Sequence, residues 1–213
     1  MRDHRALLRR QDKHLLDFAD TLTETEWAAA SLCHGWTNKD VLAHLALGLH
    51  VRLPRIAIDM IRHWSFDEAN DALSRHHGNE HTPAELLAEF DHLRQSPRGL
   101  GRALPDPLML GDHTVHHLDI AVALGRRVEL DPEVATAVLD VETSIPNPFV
   151  PAKRRSKGLR LATTDADWSH GPAYAPQIRG PATALISVLA GRGAALEQLS
   201  GDGLALLRRR LNP

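Results

Sequence analysis

Gly111-Asp112-His113-Thr114-Val115-His116-His117-Leu118-Asp119-Ile120 packs three histidines and two aspartates into a run that otherwise reads as a buried helix. Asp112 and His116 are four residues apart, so on a helix they stack on one face. On a wheel advancing about 100° per residue, Asp112, His116 and Asp119 project on the apolar side with Leu108, Val115, Ile120 and Ala123. His113 sits at the edge of that face and His117 points to the other side. Inward carboxylates and imidazoles need a compensating partner, because an unpaired buried charge is costly. Two partners meet that need: a metal ion, or a salt bridge between one of the aspartates and a protonated histidine. His44, far upstream, is a third ligand candidate, on a helix so apolar that phase does not set its direction. Two imidazoles and a carboxylate suit a divalent transition metal with open positions, an arrangement more often catalytic than structural.

Outward from this stretch the chain reads as helices. The central one is expected from Asp106 to Leu124, stopped by Gly125. Leu8, Leu15, Phe18 and Leu22 mark a helix from Arg5 to about Thr21. Thr37 to Asp40 resembles a capping box and opens an apolar helix from Asn38 toward His63, bent near Pro54. Thr82-Pro83-Ala84-Glu85 supplies an N-cap, a proline at the first helical position and a glutamate at the third. Pro132 starts a shorter helix that ends before Ile145-Pro146-Asn147-Pro148.

The proline-rich and basic segment from Pro146 to Lys157 is the best domain boundary. Beyond it, Leu159 to Thr163 alternates like a strand, and Gln177-Ile178-Arg179 suggests another. Pro181 to about Leu199 is helical, interrupted by Gly191 and Gly193. The expected fold is mainly α: an up-down bundle over residues 1–145, then a small α/β domain over 158–213. No internal repeat is visible.

Composition excludes several classes. The 213 residues are 43% hydrophobic and 24% charged, ordinary for a soluble globular protein. A net charge of -2 leaves no electrostatic footprint for nucleic acid. Lys153-Arg154-Arg155 reads as a solvated linker and Arg208-Arg209-Arg210 as the end of a fraying helix. No apolar run reaches the roughly 18 residues of a membrane span, and the polar N-terminus has no signal-peptide core. The single cysteine, Cys33, excludes an internal disulfide and fits a reducing cytoplasm. It reads as a small buried thiol beside a tryptophan turn rather than a nucleophile, since no basic residue is obviously poised for it. Trp27 and Trp36 are expected to pack the first helix connection. His50, His63, His76, His77 and His81 read as surface or loop residues. The chain has no phosphate loop, Rossmann glycine pattern or nucleophile elbow.

Ser31-Leu32-Cys33-His34-Gly35-Trp36-Thr37-Asn38-Lys39-Asp40-Val41-Leu42-Ala43-His44-Leu45 resembles the N-terminal signature of mycothiol-dependent maleylpyruvate isomerase-like proteins. That family belongs to the DinB/YfiT-like superfamily of metal-binding four-helix bundles. In the signature the last histidine, here His44, is a metal ligand. A second signature is an acidic residue, then histidine four positions on, then aspartate and an aliphatic. It matches Asp112, His116 and Asp119-Ile120, followed by Ala123-Leu124-Gly125. The tail is similar to the family's small C-terminal α/β domain: Leu159 to Asp165, Trp168, Ile178 to Ala182, Leu189 to Arg192 and Gly201 to Gly203. The resemblance therefore implies a DinB-like four-helix bundle with His44, Asp112 and His116 as ligands of a divalent metal, zinc first among them. Asp112 stands where the isomerase itself places glutamate. Being one methylene shorter, it would draw the metal toward its own helix.

The resemblance also implies mycothiol as co-substrate. A small thiol at an open metal position would ionise near neutral pH and attack a small electrophile: a conjugated alkene, an epoxide or a halide. Addition and release would isomerise a double bond; retention of the adduct would be a transfer. Asp119, on the ligand face, is expected to orient His116 or a bound water. Arg179 and Arg192 are candidates for binding a carboxylate of the thiol or the substrate. Two other readings stay open. A fourth ligand such as His113 or His50 would make a metal-stabilised sensor or interaction module, and a bound water as nucleophile would make a hydrolase. The expected partners are the thiol and its electrophile, not nucleic acid or membrane, with the chain a monomer or homodimer.

Overall fold

The computed structural model describes residues 2–51, 66–147 and 150–211. Its helices are α1 (His4–Ala19), α2 (Glu24–Ala28), α3 (Asn38–Gly48), α4 (Phe66–Glu80), α5 (Pro83–Gln95) and α6 (Gly99–Ala103). There follow α7 (Asp106–Ala123), α8 (Pro132–Ser144), α9 (Ala152–Ser156), α10 (Ala182–Leu189) and α11 (Leu204–Leu211). Three short strands, β1 (Arg160–Thr163), β2 (Ser169–His170) and β3 (Gln177–Gly180), precede α10, and a 3-10 turn, Gly193–Gln198, follows it.

The helix starts are chemically explicit. Thr23, Thr37 and Thr82 each accept the N3 backbone N–H, and Glu26, Asp40 and Glu85 return a bond to the cap backbone. Asp40 completes the box at Thr37 although it is one methylene shorter than the usual glutamate. α7 stops at Gly125, where φ is +66° and the N–H groups of Gly125 and Arg126 turn back onto Val122 and Ala121 carbonyls.

α1 packs on α7 and α5, and α3 packs on α5 and α7. These four helices thus close a ring, with α4 laid against α3 and α8 against α7. One apolar core lies between α1, α3 and α5 and contains Leu15, Leu42, Leu45, Leu86 and Phe90. Burying a side chain of this size contributes about 1.5–3 kcal/mol relative to exposure, which offsets the polar groups that α7 carries inward.

The sheet has the order β2-β1-β3, with β1 antiparallel to β2 and parallel to β3. Leu161 pairs with Ile178 in that register, and both are fully buried. They belong to a second apolar core that also holds Leu110, Leu118, Val138 and Leu139 from α7 and α8. The C-terminal sheet and the bundle are therefore joined through continuous apolar packing. Among the described residues, no helix is long and apolar enough to cross a membrane.

Several local expectations need correction. The helix begun at Asn38 ends at Gly48 rather than running on toward His63; Pro54 and His63 lie outside the described residues. α4 has no counterpart in the periodicity reading, because its faces are mostly polar: Asp71, Ser74, Arg75 and His76 interrupt the apolar pattern. Lys153 to Arg155 are not a loose linker but sit in α9, whose Ala152 and Ser156 are buried. β2 lacks strand alternation in sequence and pairs with β1 over only two positions.

Candidate metal centre

The contact between α3 and α7 brings His44 opposite Asp112 and His116. The two imidazoles meet edge-on with centroids 4.8 Å apart. His44 Nε2 lies 3.9 Å from Asp112 Oδ2, and His116 Nε2 lies 3.6 Å from Asp112 Oδ1. One potential ligand atom from each of the three lies within 4.8 Å of the other two. Four-coordinate zinc, with bonds of about 2.0–2.2 Å, sets its ligands roughly 3.3–3.6 Å apart. Small side-chain adjustments would therefore admit an ion.

The far nitrogen of each ring is already committed. His44 Nδ1 meets Asn70 Oδ1 at 3.1 Å, and the Ser74 hydroxyl is 3.4 Å away. His116 Nδ1 meets Asp119 Oδ2 at 3.0 Å. An oxygen acceptor on Nδ1 fixes the tautomer in which Nδ1 carries the proton and Nε2 offers its lone pair. That donor set fits a divalent ion: two oriented imidazoles, and a carboxylate that is 44% exposed to the adjoining cavity. Helical phase alone had Asp112 facing inward with the apolar residues; it does so at the cavity wall rather than in packed core.

Asp119 is 1% exposed and carries a fixed counterion. Arg192 Nε donates to Asp119 Oδ1 at 2.8 Å and Nη2 to Oδ2 at 2.6 Å. The arginine arrives from a tight turn after α10. Gly191 takes φ +103°, and the N–H groups of Gly191 and Arg192 bond to the Val188 and Ser187 carbonyls. Cys33 donates its S–H to Asp119 Oδ2 at 3.1 Å, and Arg192 Nη2 is 3.6 Å from the sulfur. Cys33, His116 and Asp119 also have metal-ligand spacing. The Arg192 guanidinium already stands there as the cation, so this second group needs no ion. The expectation that no basic residue serves Cys33 is thus corrected: Arg192, 159 positions away in sequence, and His116 both approach it.

Electrostatics separate the two imidazoles. Burial, with help from the charge on His116, pushes His44 down to about 4. Burial also acts against a charged His116, but the neighbouring Cys33 sulfur and the Asp119 carboxylate outweigh it and lift its pKa well above the ordinary value. Burial alone would raise Asp119, yet hydrogen bonds from His116 and Arg192 hold it far below the usual carboxylate range. Without a metal, the positive charge among these residues therefore rests on His116 and Arg192.

The triad stands between two cavities. The larger, about 610 Å³, is lined by Cys33, His34, Trp36, Asp71 and the Gly191–Ala194 turn, with His116 and Arg192 at its inner wall. The smaller, about 360 Å³, is lined by Asp112, His44 and His116 and by apolar residues including Leu47, Leu104, Leu108 and Val115. Asn70, His116 and Arg192 line both. Trp36 stacks over His116 with centroids 6.3 Å apart and donates its indole N–H to Asp71.

The remaining site candidates separate clearly. Arg192 reaches the cluster. Arg179 is exposed on β3, pairs through its backbone with Ser200, and lines neither cavity. His113 is not at an edge: it is 1% exposed, and its Nδ1 is 2.5 Å from Asp12 Oδ1 on α1. His117 does point away from the triad, but into packed structure rather than solvent, between Gln11, His14 and Phe18. His50 and His77 are partly buried and share Glu89 at 3.5 and 2.7 Å, which corrects their reading as surface residues. Neither His113 nor His50 turns toward the triad. Asn70, Asp71 and Glu142 line the cavities without having been singled out from sequence, and Trp36, expected only to pack the first helix connection, lines the larger one. Asn70 and Ser74 are one helical turn apart, a spacing that would put both on one helix face and that the sequence reading did not use.

The comparisons with known proteins bear on the family and the fold. A family model described as the mycothiol maleylpyruvate isomerase N-terminal domain matches residues 8–108, a span that includes His44 and stops short of Asp112. Among solved structures, the chain is similar to the mycothiol-dependent maleylpyruvate isomerase, with TM-score 0.58 and 16% sequence identity. A crystal structure of a histidine-to-alanine mutant of that enzyme gives the same TM-score at 15% identity. In both cases the match covers 93% of this chain and 91% of the other. No curated protein sequence matches significantly.

Proposed function

Residues 8–108 belong to the mycothiol maleylpyruvate isomerase N-terminal domain family, and from that premise we propose a divalent-metal-dependent transferase or isomerase. It would use mycothiol, or a similar small thiol, against a small electrophile. The observation that carries this reading is the pair of imidazoles with Nδ1 held and Nε2 turned toward Asp112 at the wall between two cavities. His44, Asp112 and His116 would hold the ion, with zinc the best match to two nitrogens and one oxygen. The ion, when bound, supplies the positive charge that keeps a small thiol ionised near neutral pH.

The chain's own residues do the positioning. Asn70 and Asp119 each fix one ring, and Arg192 keeps Asp119 ionised so that His116 cannot turn away. Asp119 and Arg192 are thus positioning residues in this reading. The larger, polar cavity suits a sugar-bearing thiol, since Trp36 offers a ring face and Asp71 and His34 offer hydrogen bonds. The smaller, mainly apolar cavity suits the electrophile. The division of the chain into a bundle over 1–145 and an α/β unit over 158–213 belongs to the same proposal, with Arg192 as the contribution of the second unit to the first. A thiol-dependent reaction fits a reducing cytoplasm.

The two alternatives are less well supported. A sensor with a closed metal site needs a fourth ligand, and His113 and His50 are held elsewhere by Asp12 and Glu89. A hydrolase would not need the polar second cavity. The test is turnover of conjugated alkenes, epoxides and halides by metal-loaded protein with and without mycothiol. Thiol-dependent turnover that vanishes with chelator and returns with zinc is expected. Equal turnover without any thiol would replace this reading with the hydrolase.

A further inference from the structure

Glu142 lies outside the ligand cluster, on α8, yet lines the smaller cavity. It is 8% exposed, and its Oε2 atom is buried with no hydrogen-bond partner. A buried carboxyl oxygen without a partner forfeits roughly 1–3 kcal/mol, so a native chain that keeps one at a cavity wall invites a ligand to satisfy it. The rest of the wall is dominated by aliphatic side chains, among them Leu47, Val51, Leu104, Leu108, Val115 and Val150. The triad residues, Asn70, Asn147 and Arg192 also line it, and a mainly apolar chamber with a few placed polar groups is the usual plan of a small-molecule site, where apolar walls give affinity and the polar groups give orientation.

We propose that Glu142 is the polar anchor of the smaller chamber, and that the electrophile taken there is an uncharged, mostly apolar molecule that docks a carbonyl oxygen on the Glu142 carboxyl group. This deepens the thiol-transfer reading and rests on it for the word electrophile. The docking itself does not depend on the thiol.

The protonation state agrees with the geometry. Burial drives the Glu142 carboxyl well above the usual carboxylate range; Arg155 and Arg192 pull the other way without reaching hydrogen-bond distance. A neutral carboxyl group has one O–H to donate, and a carbonyl oxygen accepts it without bringing charge into an apolar space. A ligand carboxylate at the same depth would surrender its hydration beside aliphatic walls, with the Arg192 guanidinium already engaged by both oxygens of Asp119, which is costly for an anion. In a conjugated ketone, thiolate addition at the far alkene carbon forms the S–C bond and moves the π electrons onto the carbonyl oxygen. The Glu142 O–H faces that oxygen as its charge grows, and expulsion of the thiolate returns the electrons. No oxidant or reductant is needed.

The experiment uses metal-loaded protein and three unreactive six-carbon probes: 2-hexanone, hexanoate and adipate. Binding is followed by ligand-observed NMR, with 2-hexanone labelled with carbon-13 at the carbonyl. The expected result is that 2-hexanone binds at least tenfold more tightly than adipate and that its carbonyl resonance moves downfield when bound. Glu142→Leu should weaken 2-hexanone about tenfold and abolish the resonance shift. Glu142→Gln, whose amide still donates, should retain most of both. Glu142→Leu should melt no lower than the parent chain, because it removes an unpaired buried carboxyl. If the leucine variant fails to fold, the resonance shift in the parent chain and in Glu142→Gln still decides. Equal or tighter binding of adipate, no binding of 2-hexanone, or an unshifted carbonyl resonance overturns the proposal. Thiol-dependent turnover of a dianionic electrophile would overturn it while leaving the thiol reading intact. Ketone docking without thiol-dependent turnover would do the reverse.

Discussion

The two faces of α7 carry the same side-chain types into different surroundings. Toward α1, His113 is closed off by Asp12 and His117 by Gln11, His14 and Phe18. Toward α3, His116 and His44 each spend one nitrogen on the protein and leave the other facing a carboxylate at a cavity wall. The closed face has saturated its polar groups within the chain, apart from His117 Nε2. The open face has two Nε2 atoms, that of His44 with its lone pair free and that of His116 still to give up a proton, and a half-exposed carboxylate. Imidazole count therefore says little about where a ligand binds; what matters is which nitrogen is left over and whether it borders space.

The sharpest way to break this comparison is His116→Ala. On the open face, the loss of one of three ligands should remove stoichiometric metal after dialysis and reduce thiol-dependent turnover to background. Metal analysis by mass spectrometry settles it, and retained stoichiometric metal would end the assignment. The next largest effect belongs to the closed face. Asp12→Ala leaves His113 buried without its partner, and breaking such a pair costs about 3–5 kcal/mol of stability. Urea denaturation should show that loss while metal content stays at parent level. If Asp12→Ala also sheds metal, the two faces are not independent.

A smaller effect tests the support behind the open face. Asp119→Asn keeps the shape but replaces an ionised acceptor by a neutral one, and leaves Arg192 without its counterion. Metal affinity should fall roughly 10–100-fold, the usual consequence of changing a residue behind a ligand. Competition with a chromogenic chelator measures it. Unchanged affinity would mean that the Nδ1 contact of His116 does not orient the ring.

The comparison also shows why part of the site was legible in sequence and part was not. The four-residue spacing of Asp112 and His116 puts two ligands on one helical face whatever the rest of the chain does. The capping boxes at Thr37 and Thr82 are equally local, so the helices that carry His44 and Phe90 could be placed. His44 itself needed the family signature, because its helix is apolar all round. Arg192 was named, but its bond to Asp119 spans 73 residues and follows from where the Gly191 turn meets α7. Periodicity has no access to such a contact. Asn70 sits on a helix too polar to announce itself, and Glu142 on one whose buried face looks ordinary. Arg179 and Arg192 are alike in sequence, and only the strand register leaves Arg179 outside the site.

The smallest effect at neutral pH belongs to His117, and it is visible only in acid. His117 is fully buried, and desolvation pushes its pKa down to about 3 from 6.5, with a smaller contribution from His14. Between those two values the unfolded chain binds a proton at this position and the native chain does not. Stability therefore falls as pH drops below about 6.5 and stops falling from this source near 3. His117→Leu removes that linkage. At pH 7 two terms oppose each other: Gln11 loses its partner at 3.1 Å, while the unpaired Nε2 of His117 disappears. Each is worth about 1 kcal/mol, so the variant should stay within about 1 kcal/mol of the parent chain at neutral pH. In acid it should become the more stable of the two, with a flatter fall of the urea midpoint between pH 6 and 4. The other titrating groups are common to both chains and cancel in the difference. Parallel pH profiles would mean that His117 protonates in the native state, and hence that the α1 side of α7 is open to water rather than closed.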